Sequence, residues 1–133
     1  SKLANSRSLP DRIFSLSDEG VFVSNNFGQN WSLTPITQKW AQASFMDVEV
    51  SRANPDIVWA GLGMTNDLNL HVSTDGGASF SLTNNFTSVS MGGITKLASH
   101  PLEENTAYAL FSLAGKPKIL KTTDLGNTWT DIS

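Results

Sequence analysis

The chain has 133 residues, of which 39% are hydrophobic and 16% charged, enough apolar material for one packed globular domain. Its formal net charge of -3 argues against a nucleic-acid-binding surface, because such surfaces concentrate Lys and Arg on one face. The absence of cysteine from the sequence excludes disulfides, thiolate metal sites and a cysteine nucleophile. No run of about 18 apolar residues occurs, so no membrane span is expected.

Short apolar runs bounded by Gly, Pro, Asn and Asp follow one another along the chain, which is typical of β-strands. In the middle of the chain four strands are predicted, near 45–50, 57–61, 69–73 and 79–83. Ile57–Ala60 is apolar without alternation, which predicts a strand buried on both faces. Because no stretch shows a helical period, we expect helix to be close to absent.

This four-strand unit is repeated. One short motif is centred on positions 26, 75 and 124, which are 49 residues apart both times. The second and third units align without a gap, and the first unit has one loop that is four residues shorter. The sequence therefore predicts a single domain over residues 1–133, with units at about 1–34, 44–84 and 93–133.

The motif reads Ser/Thr, any residue, Asp, any residue, Gly, two residues, then Trp or Phe, with an Asn in place of the Asp in the first copy. The acidic side chain can accept hydrogen bonds from its own turn, the Gly can adopt a positive φ, and the aromatic can pack inward. Because an amide cannot act as a general base, its presence in one copy favours a structural role. The motif residues are Asn26, Gly28 and Trp31, then Asp75, Gly77 and Phe80, then Asp124, Gly126 and Trp129.

The motif resembles the Asp box, also called the BNR repeat, which is found in sialidases, xyloglucan-degrading glycoside hydrolases, sortilin-type receptors, photosystem II assembly factors and large secreted bacterial proteins. The resemblance implies an all-β fold of three four-stranded antiparallel blades of a β-propeller. Function differs widely among these families. Since a closed propeller has about 4 to 8 blades, the partners that we expect are further blades of a parent chain or a second copy.

The search for a catalytic group yields one weak candidate. A sialidase-like site would need a tyrosine nucleophile, but Tyr108, the single tyrosine, stands where the other units have Phe14 and Trp59, so we expect a core residue there. Asp47 lies on the first strand of its unit, and its counterpart in the third unit is Lys96, so it does not belong to the repeat. A glycosidase needs two carboxylates, and the sequence names no partner for Asp47.

Ligand binding, if present, is expected in the loops that differ between units, because recognition residues are commonly carried on loops of a rigid scaffold. The candidates are Trp40, which lies outside the repeat pattern, Asp67 and Lys116. His71 and His100 lie in different elements and do not form a metal motif. We therefore predict neither a metal nor a cofactor.

The preferred hypothesis is a non-catalytic propeller segment for protein or glycan recognition, or for scaffolding, within a larger protein. The alternative is a fragment of a xyloglucanase-like or sialidase-like glycoside hydrolase whose catalytic residues lie mostly outside this chain. The resemblance also implies an extracellular or cell-surface location.

Overall fold

The computed structural model describes residues 3–17, 19–36, 44–63, 68–83, 94–113 and 116–133. Within these ranges the chain forms three four-stranded antiparallel sheets, and no described residue lies in a helix. Sheet 1 contains β1 (Leu3–Ser6), β2 (Leu9–Ser17), β3 (Gly20–Ser24) and β4 (Ser32–Leu33). Sheet 2 contains β5 (Ser44–Val50), β6 (Val58–Gly63), β7 (Leu68–Ser73) and β8 (Ser81–Leu82). Sheet 3 contains β9 (Ile94–Ser99), β10 (Ala107–Leu113), β11 (Lys116–Thr122) and β12 (Thr130–Asp131).

In each sheet, strands that follow one another in sequence are hydrogen-bonded neighbours, which confirms the predicted four-strand unit. The fourth strand is shorter than expected, since β8 covers Ser81–Leu82 rather than 79–83. The physical reason is local: the backbone N–H of Ser79 donates to Asp75 Oδ1 at 2.8 Å. That residue therefore belongs to the turn before the strand.

The sheets pack face to face around two hydrophobic clusters. The cluster between sheets 1 and 2 contains Phe14, Val21, Ile36, Val48, Val50, Val58 and Ala60. The cluster between sheets 2 and 3 contains Ile57, Trp59, Leu70, Val72, Leu97, Ala107, Ala109, Phe111 and Leu120. The residues of Ile57–Ala60 divide between the two clusters and are at most 3% exposed, which confirms the prediction of burial on both faces.

Because neighbouring strands are antiparallel, the loop between the first and second strands lies at the same edge of the sheet as the turn between the third and fourth strands. A backbone hydrogen bond joins the turn to this loop in sheets 2 and 3, from Gly76 to Asp56 and from Leu125 to Asn105, and to the start of β2 in sheet 1, from Phe27 to Asp11. We call this edge of the stacked sheets the turn rim. None of the described segments is a helix able to cross a membrane.

Candidate functional site

The three turns centred on positions 26, 75 and 124, called the repeat turns below, are held by their acidic or amide side chain. In sheet 2, Asp75 Oδ1 accepts hydrogen bonds from the Ser79 backbone N–H at 2.8 Å and from Ser73 Oγ at 2.7 Å, and Oδ2 accepts from Ser79 Oγ. These bonds, led by the one from the Ser79 side chain, lower the pKa of Asp75 to about 2. The carboxylate is therefore ionised and occupied within its own turn.

The other two repeat turns have the same arrangement. Asp124 accepts from the backbone and hydroxyl of Thr128 and from Thr122, and these bonds lower its pKa as well. In sheet 1 the amide oxygen of Asn26 accepts from Asn30 N at 2.9 Å, while its Nδ2 donates to Asn30 Oδ1 at 2.8 Å. An amide thus holds the turn without a negative charge, as expected from the sequence.

The hydroxyl at the start of each repeat turn is a structural group that the sequence analysis did not assign. The Oγ of Ser73 is buried, donates to Asp75 and accepts from the Gly77 backbone N–H at 2.8 Å. The equivalent acceptors for Gly28 and Gly126 are Ser24 and Thr122. The available signal was that a Ser or Thr opens all three copies of the motif.

In sheets 2 and 3 the repeat turn combines a glycine at positive φ with an aromatic that packs inward. Gly77 and Gly126 have φ values of +92° and +86°, a region that side chains disfavour. Phe80 packs against the cluster between sheets 1 and 2, and Trp129 against the one between sheets 2 and 3. Trp31 of sheet 1 differs, because it is 41% exposed.

Asp47 is buried at the junction between sheets 2 and 3, with 1% of its surface exposed. Its Oδ1 accepts from the Val48 backbone N–H at 3.0 Å, and its Oδ2 accepts from the Leu97 backbone N–H at 2.7 Å. A register irregularity between Phe45 and Asp47 precedes it on β5. Its visible role is to join β5 to β9.

Further polar contacts reinforce the same junction. Glu49 accepts hydrogen bonds from the backbone N–H and the hydroxyl of Ser99, and the Arg52 guanidinium donates to the Ser99 carbonyl at 2.9 Å. Between sheets 1 and 2 the corresponding tie is the ion pair of Arg12 with Asp56, at 3.0 Å. The two junctions therefore share an apolar centre and differ in their polar contacts.

A pocket of about 730 Å³ opens on the turn rim, where loops of all three sheets meet. Two cationic side chains line it, and they come from equivalent positions of adjacent sheets. No acidic residue is among its lining residues, and no described carboxylate pairs with Arg7. The lining consists of Asn5, Ser6, Arg7 and Pro10 of sheet 1, Arg52 of sheet 2 and Pro101 of sheet 3.

The remaining candidates are dispersed. Trp40 and Asp67 lie outside the described residues, while Lys116 is exposed at the start of β11, at the edge of sheet 3 opposite the turn rim. Tyr108 was expected in the core, but it is only half-buried on the outer face of sheet 3, with Lys121 Nζ 5.8 Å from its ring centroid. No group of three His, Asp or Glu side chains within the described ranges is arranged to hold a metal ion.

No protein-family model matches the chain, and no curated protein matches its sequence. Among solved structures it is similar to an ancestral GH74 enzyme, with 20% identity over 98% of this chain and 17% of that chain, at a TM-score of 0.71. It is also similar to YCF48 bound to D1 peptide, with 14% identity over 98% of this chain and 38% of that chain, at a TM-score of 0.75. A GH74 xyloglucanase from Xanthomonas campestris matches at 13% identity, over all of this chain and 30% of its own, with a TM-score of 0.53.

The chain thus spans less than two fifths of the length of each of these proteins. At such low identity the likeness concerns the fold and not the activity. All of them are propeller proteins. The chain therefore has the β-propeller fold, of which its sheets form three consecutive four-stranded antiparallel blades.

Proposed function

We propose that this chain is a non-catalytic recognition segment of a larger, exported propeller protein, and that it binds carboxylate-bearing peptide segments in the turn-rim pocket. The observation that carries the proposal is the pair of arginines, Arg7 and Arg52, in a pocket without an acidic lining residue. A guanidinium offers a planar fork of donors that matches a carboxylate, so two of them favour an anionic ligand.

The construction of the pocket supports binding rather than a passive surface. Its volume of about 730 Å³ lies in the range of small-molecule sites. Arg52 is fixed by its hydrogen bond to the Ser99 carbonyl, and Asn5 is fixed by donating to the Pro10 carbonyl at 3.1 Å. Pro10 and Pro101 add rigid apolar walls. Polar groups held in place before binding lose little conformational entropy when the ligand arrives.

The geometry of the repeat turns argues against catalysis by their carboxylates. Hydrolysis of a glycoside by the usual route needs one carboxylic acid to donate a proton and a second carboxylate nearby. Asp75, with its pKa lowered to about 2, is not protonated near neutral pH, and its oxygens are occupied by Ser73 and Ser79. We infer that these turns are Asp boxes with a purely structural role, supported by the same hydrogen bonds in all three copies.

Two likenesses bear on the choice of ligand. YCF48 was solved bound to a peptide, which favours a peptide ligand for a chain with the same fold. The GH74 enzymes favour the second candidate, a glycoside hydrolase fragment whose catalytic residues lie mostly outside this chain. An extracellular or cell-surface location remains part of the proposal.

The test compares Arg7→Gln with Lys118→Gln. Both changes remove one positive charge, but Lys118 lies outside the pocket and pairs with Asp131 within sheet 3. We expect an array of acidic peptides to contain ligands for the unaltered chain. Their affinity should fall about tenfold in Arg7→Gln, as loss of one charge-assisted hydrogen bond predicts, and should be unchanged in Lys118→Gln. Acidic oligosaccharides form the second arm of the array.

Three results would count against the proposal. Equal losses in both variants would mean that only the overall charge matters. Binding of acidic oligosaccharides without acidic peptides would replace the proposed ligand class. Release of reducing sugars from xyloglucan by the purified chain would favour the hydrolase alternative.

A further inference from the structure

The two arginines of the turn-rim pocket, Arg7 and Arg52, are carried by loops that are built alike. Each arginine directly follows a buried serine, Ser6 in sheet 1 and Ser51 in sheet 2. The Ser6 hydroxyl accepts a hydrogen bond from the backbone N–H two residues further on, and the Ser51 hydroxyl accepts from those two and three residues further on. Such local hydrogen bonds stabilise a turn. A difference between the two arginines must therefore arise from their side chains.

The side chain of Arg52 is held by the next sheet. Its guanidinium donates to the Ser99 carbonyl at 2.9 Å, and its backbone N–H donates to the Ser99 hydroxyl at 3.1 Å. Ser99 is buried and is itself held by Glu49, which accepts from its backbone N–H at 3.0 Å and from its hydroxyl at 3.1 Å. Two residues of sheet 2 thus bind one serine of sheet 3. The direction of the Arg52 guanidinium is therefore fixed before a ligand arrives.

Arg7 has no comparable support among the described residues. Ala4 and Val50 stand at the positions equivalent to Glu49 and Ser99, so the junction between sheets 1 and 2 lacks both the carboxylate and the hydroxyl. The Arg7 side chain is exposed, and no described group accepts a hydrogen bond from it. A long side chain of this kind loses rotamer freedom when a ligand fixes it. The two arginines are therefore unequal although their positions are equivalent.

The fixed direction of Arg52 matters because a guanidinium is planar. It has five N–H donors that lie in its plane, and one of those of Arg52 is used by the Ser99 carbonyl. A carboxylate binds a guanidinium through two parallel hydrogen bonds, so the plane of the one sets the plane of the other. An ammonium group carries the same charge but lacks this fork of donors.

We propose that Arg52 orients the ligand carboxylate in the turn-rim pocket, that Arg7 contributes charge without a fixed direction, and that Glu49 and Ser99 are the positioning residues of Arg52. This inference rests on the proposed function, since it requires an anionic ligand in the pocket. It makes Arg52 the residue that determines which carboxylate geometry the pocket accepts.

Replacement by lysine separates charge from direction. The probe is a fluorescently labelled hexaglutamate peptide, and its affinity is measured by polarisation. Arg52→Lys should weaken binding at least tenfold, as expected for the loss of one charge-assisted hydrogen bond. Arg7→Lys should weaken it only about twofold, because the charge is kept and no fixed fork is lost. Equal losses in the two variants would overturn the proposal.

Glu49→Ala gives opposite expectations for charge and for positioning. Alanine occupies the equivalent positions in the other two sheets, Ala4 and Ala98, so the fold accepts it there. Removal of a negative charge near a cationic pocket would strengthen the binding of an acidic peptide, whereas loss of the support of Arg52 should weaken it about fivefold. The control is Glu103→Ala, which removes the same charge from the loop after β9 and should not weaken binding. Unchanged or tighter binding in Glu49→Ala would overturn the proposal.

A double variant shows whether Glu49 acts through Arg52. If it does, Glu49→Ala combined with Arg52→Lys should bind the peptide as weakly as Arg52→Lys alone, because the two changes remove one arrangement. If the two losses multiply, Glu49 acts independently of Arg52, and its role as a positioning residue is wrong.

A measurement without ligand tests the same arrangement. The chain contains three arginines, Arg7, Arg12 and Arg52, whose guanidinium signals in nitrogen-15 NMR can be assigned from single lysine variants. Arg52 should rotate slowly about its Nε–Cζ bond and show separate signals for its two Nη groups, while Arg7 should show one averaged signal. Glu49→Ala should average the signals of Arg52 as well. An averaged signal for Arg52 in the unaltered chain would contradict its fixed direction.

Failure of the proposed function gives a different set of results. If hexaglutamate does not bind the unaltered chain, or binds Arg7→Gln equally well, the pocket is not a site for acidic peptides and both proposals are wrong. If Arg7→Gln weakens binding but the two lysine variants lose equal affinity, the pocket binds acidic peptides and only the unequal roles of the arginines are wrong.

Discussion

Replacing Gly77 with Ala tests how closely the repeat turn of sheet 2 packs against sheet 1. The new Cβ would lie 2.7 Å from Phe14 Cε1, and the Phe14 ring is fully buried and has no room to move. Gly28→Ala is the matched control, since its φ of +86° is close to the +92° of Gly77, but its Cβ would meet only Trp31 at 3.4 Å. Both changes place a side chain at positive φ, and one of them also overpacks the interface.

The two contributions can be estimated separately. A left-handed backbone costs an ordinary residue about 1–2 kcal/mol, which is the loss expected for Gly28→Ala. Overpacking a well-filled interface adds about 1–3 kcal/mol, so Gly77→Ala should lose about 2–5 kcal/mol. For a chain of this size, about 4 °C of melting temperature corresponds to each kcal/mol, which separates the two variants by about 4–12 °C.

Thermal unfolding followed by tryptophan fluorescence measures both variants, and urea titration gives the free energies of unfolding. If Gly28→Ala and Gly77→Ala lose the same stability, the close approach of Gly77 to Phe14 has no energetic consequence.

Two other substitutions test single buried groups. Burial lowers the pKa of His71, whose Nδ1 has no hydrogen-bond partner among the described residues. The unfolded chain therefore binds the proton more readily, and stability should fall as the pH drops below about 6.5. His71→Leu, which places the residue type of Leu120 of sheet 3 at this position, should remove the fall in stability, as measured by urea titrations between neutral and mildly acidic pH. If the difference in unfolding free energy between the two proteins stays the same across that range, the prediction is wrong. Asp47→Asn places an amide N–H opposite one of two backbone donors, the N–H of Val48 or that of Leu97. The change should lower the free energy of unfolding by about 1.5–3 kcal/mol. A loss below about 0.5 kcal/mol would mean that the contact across the junction is dispensable.

The features that recur at a 49-residue spacing were predictable from the sequence. Repetition revealed the three sheets and the motif turns, and the unbroken apolar run at Ile57–Ala60 revealed that β6 is buried on both faces. Their physical basis is local, because a turn that satisfies its own donors needs only nearby residues. The sequence did not predict that the fourth strands have only two residues. The reason is that side-chain hydrogen bonds of the repeat turn hold residues such as Ser79, which the apolar pattern had assigned to the strand.

The groups that act between sheets were not predictable in the same way. Asp47 was the weak catalytic candidate because its counterpart Lys96 is not acidic, yet its carboxylate binds the backbone of Leu97 in the next sheet. Arg7 and Arg52 carry no motif that would mark them in the sequence, and the packing of adjacent sheets brings them to one pocket. Such roles depend on residues far away in sequence, which a repeat pattern does not identify.

Repeated and unrepeated residues therefore have different roles in this chain. The repeated ones build a blade that could pack against any copy of itself, since the aromatic of one sheet fits the glycine turn of the next. If nothing else distinguished the junctions, the sheets could exchange places or slip. The polar contacts distinguish the junctions, because Asp47 binds a backbone N–H of β9 at one of them and Arg12 pairs with Asp56 at the other. Function is therefore expected at positions where the units differ. The turn-rim pocket is such a position, because two units have an arginine there and the third has Pro101.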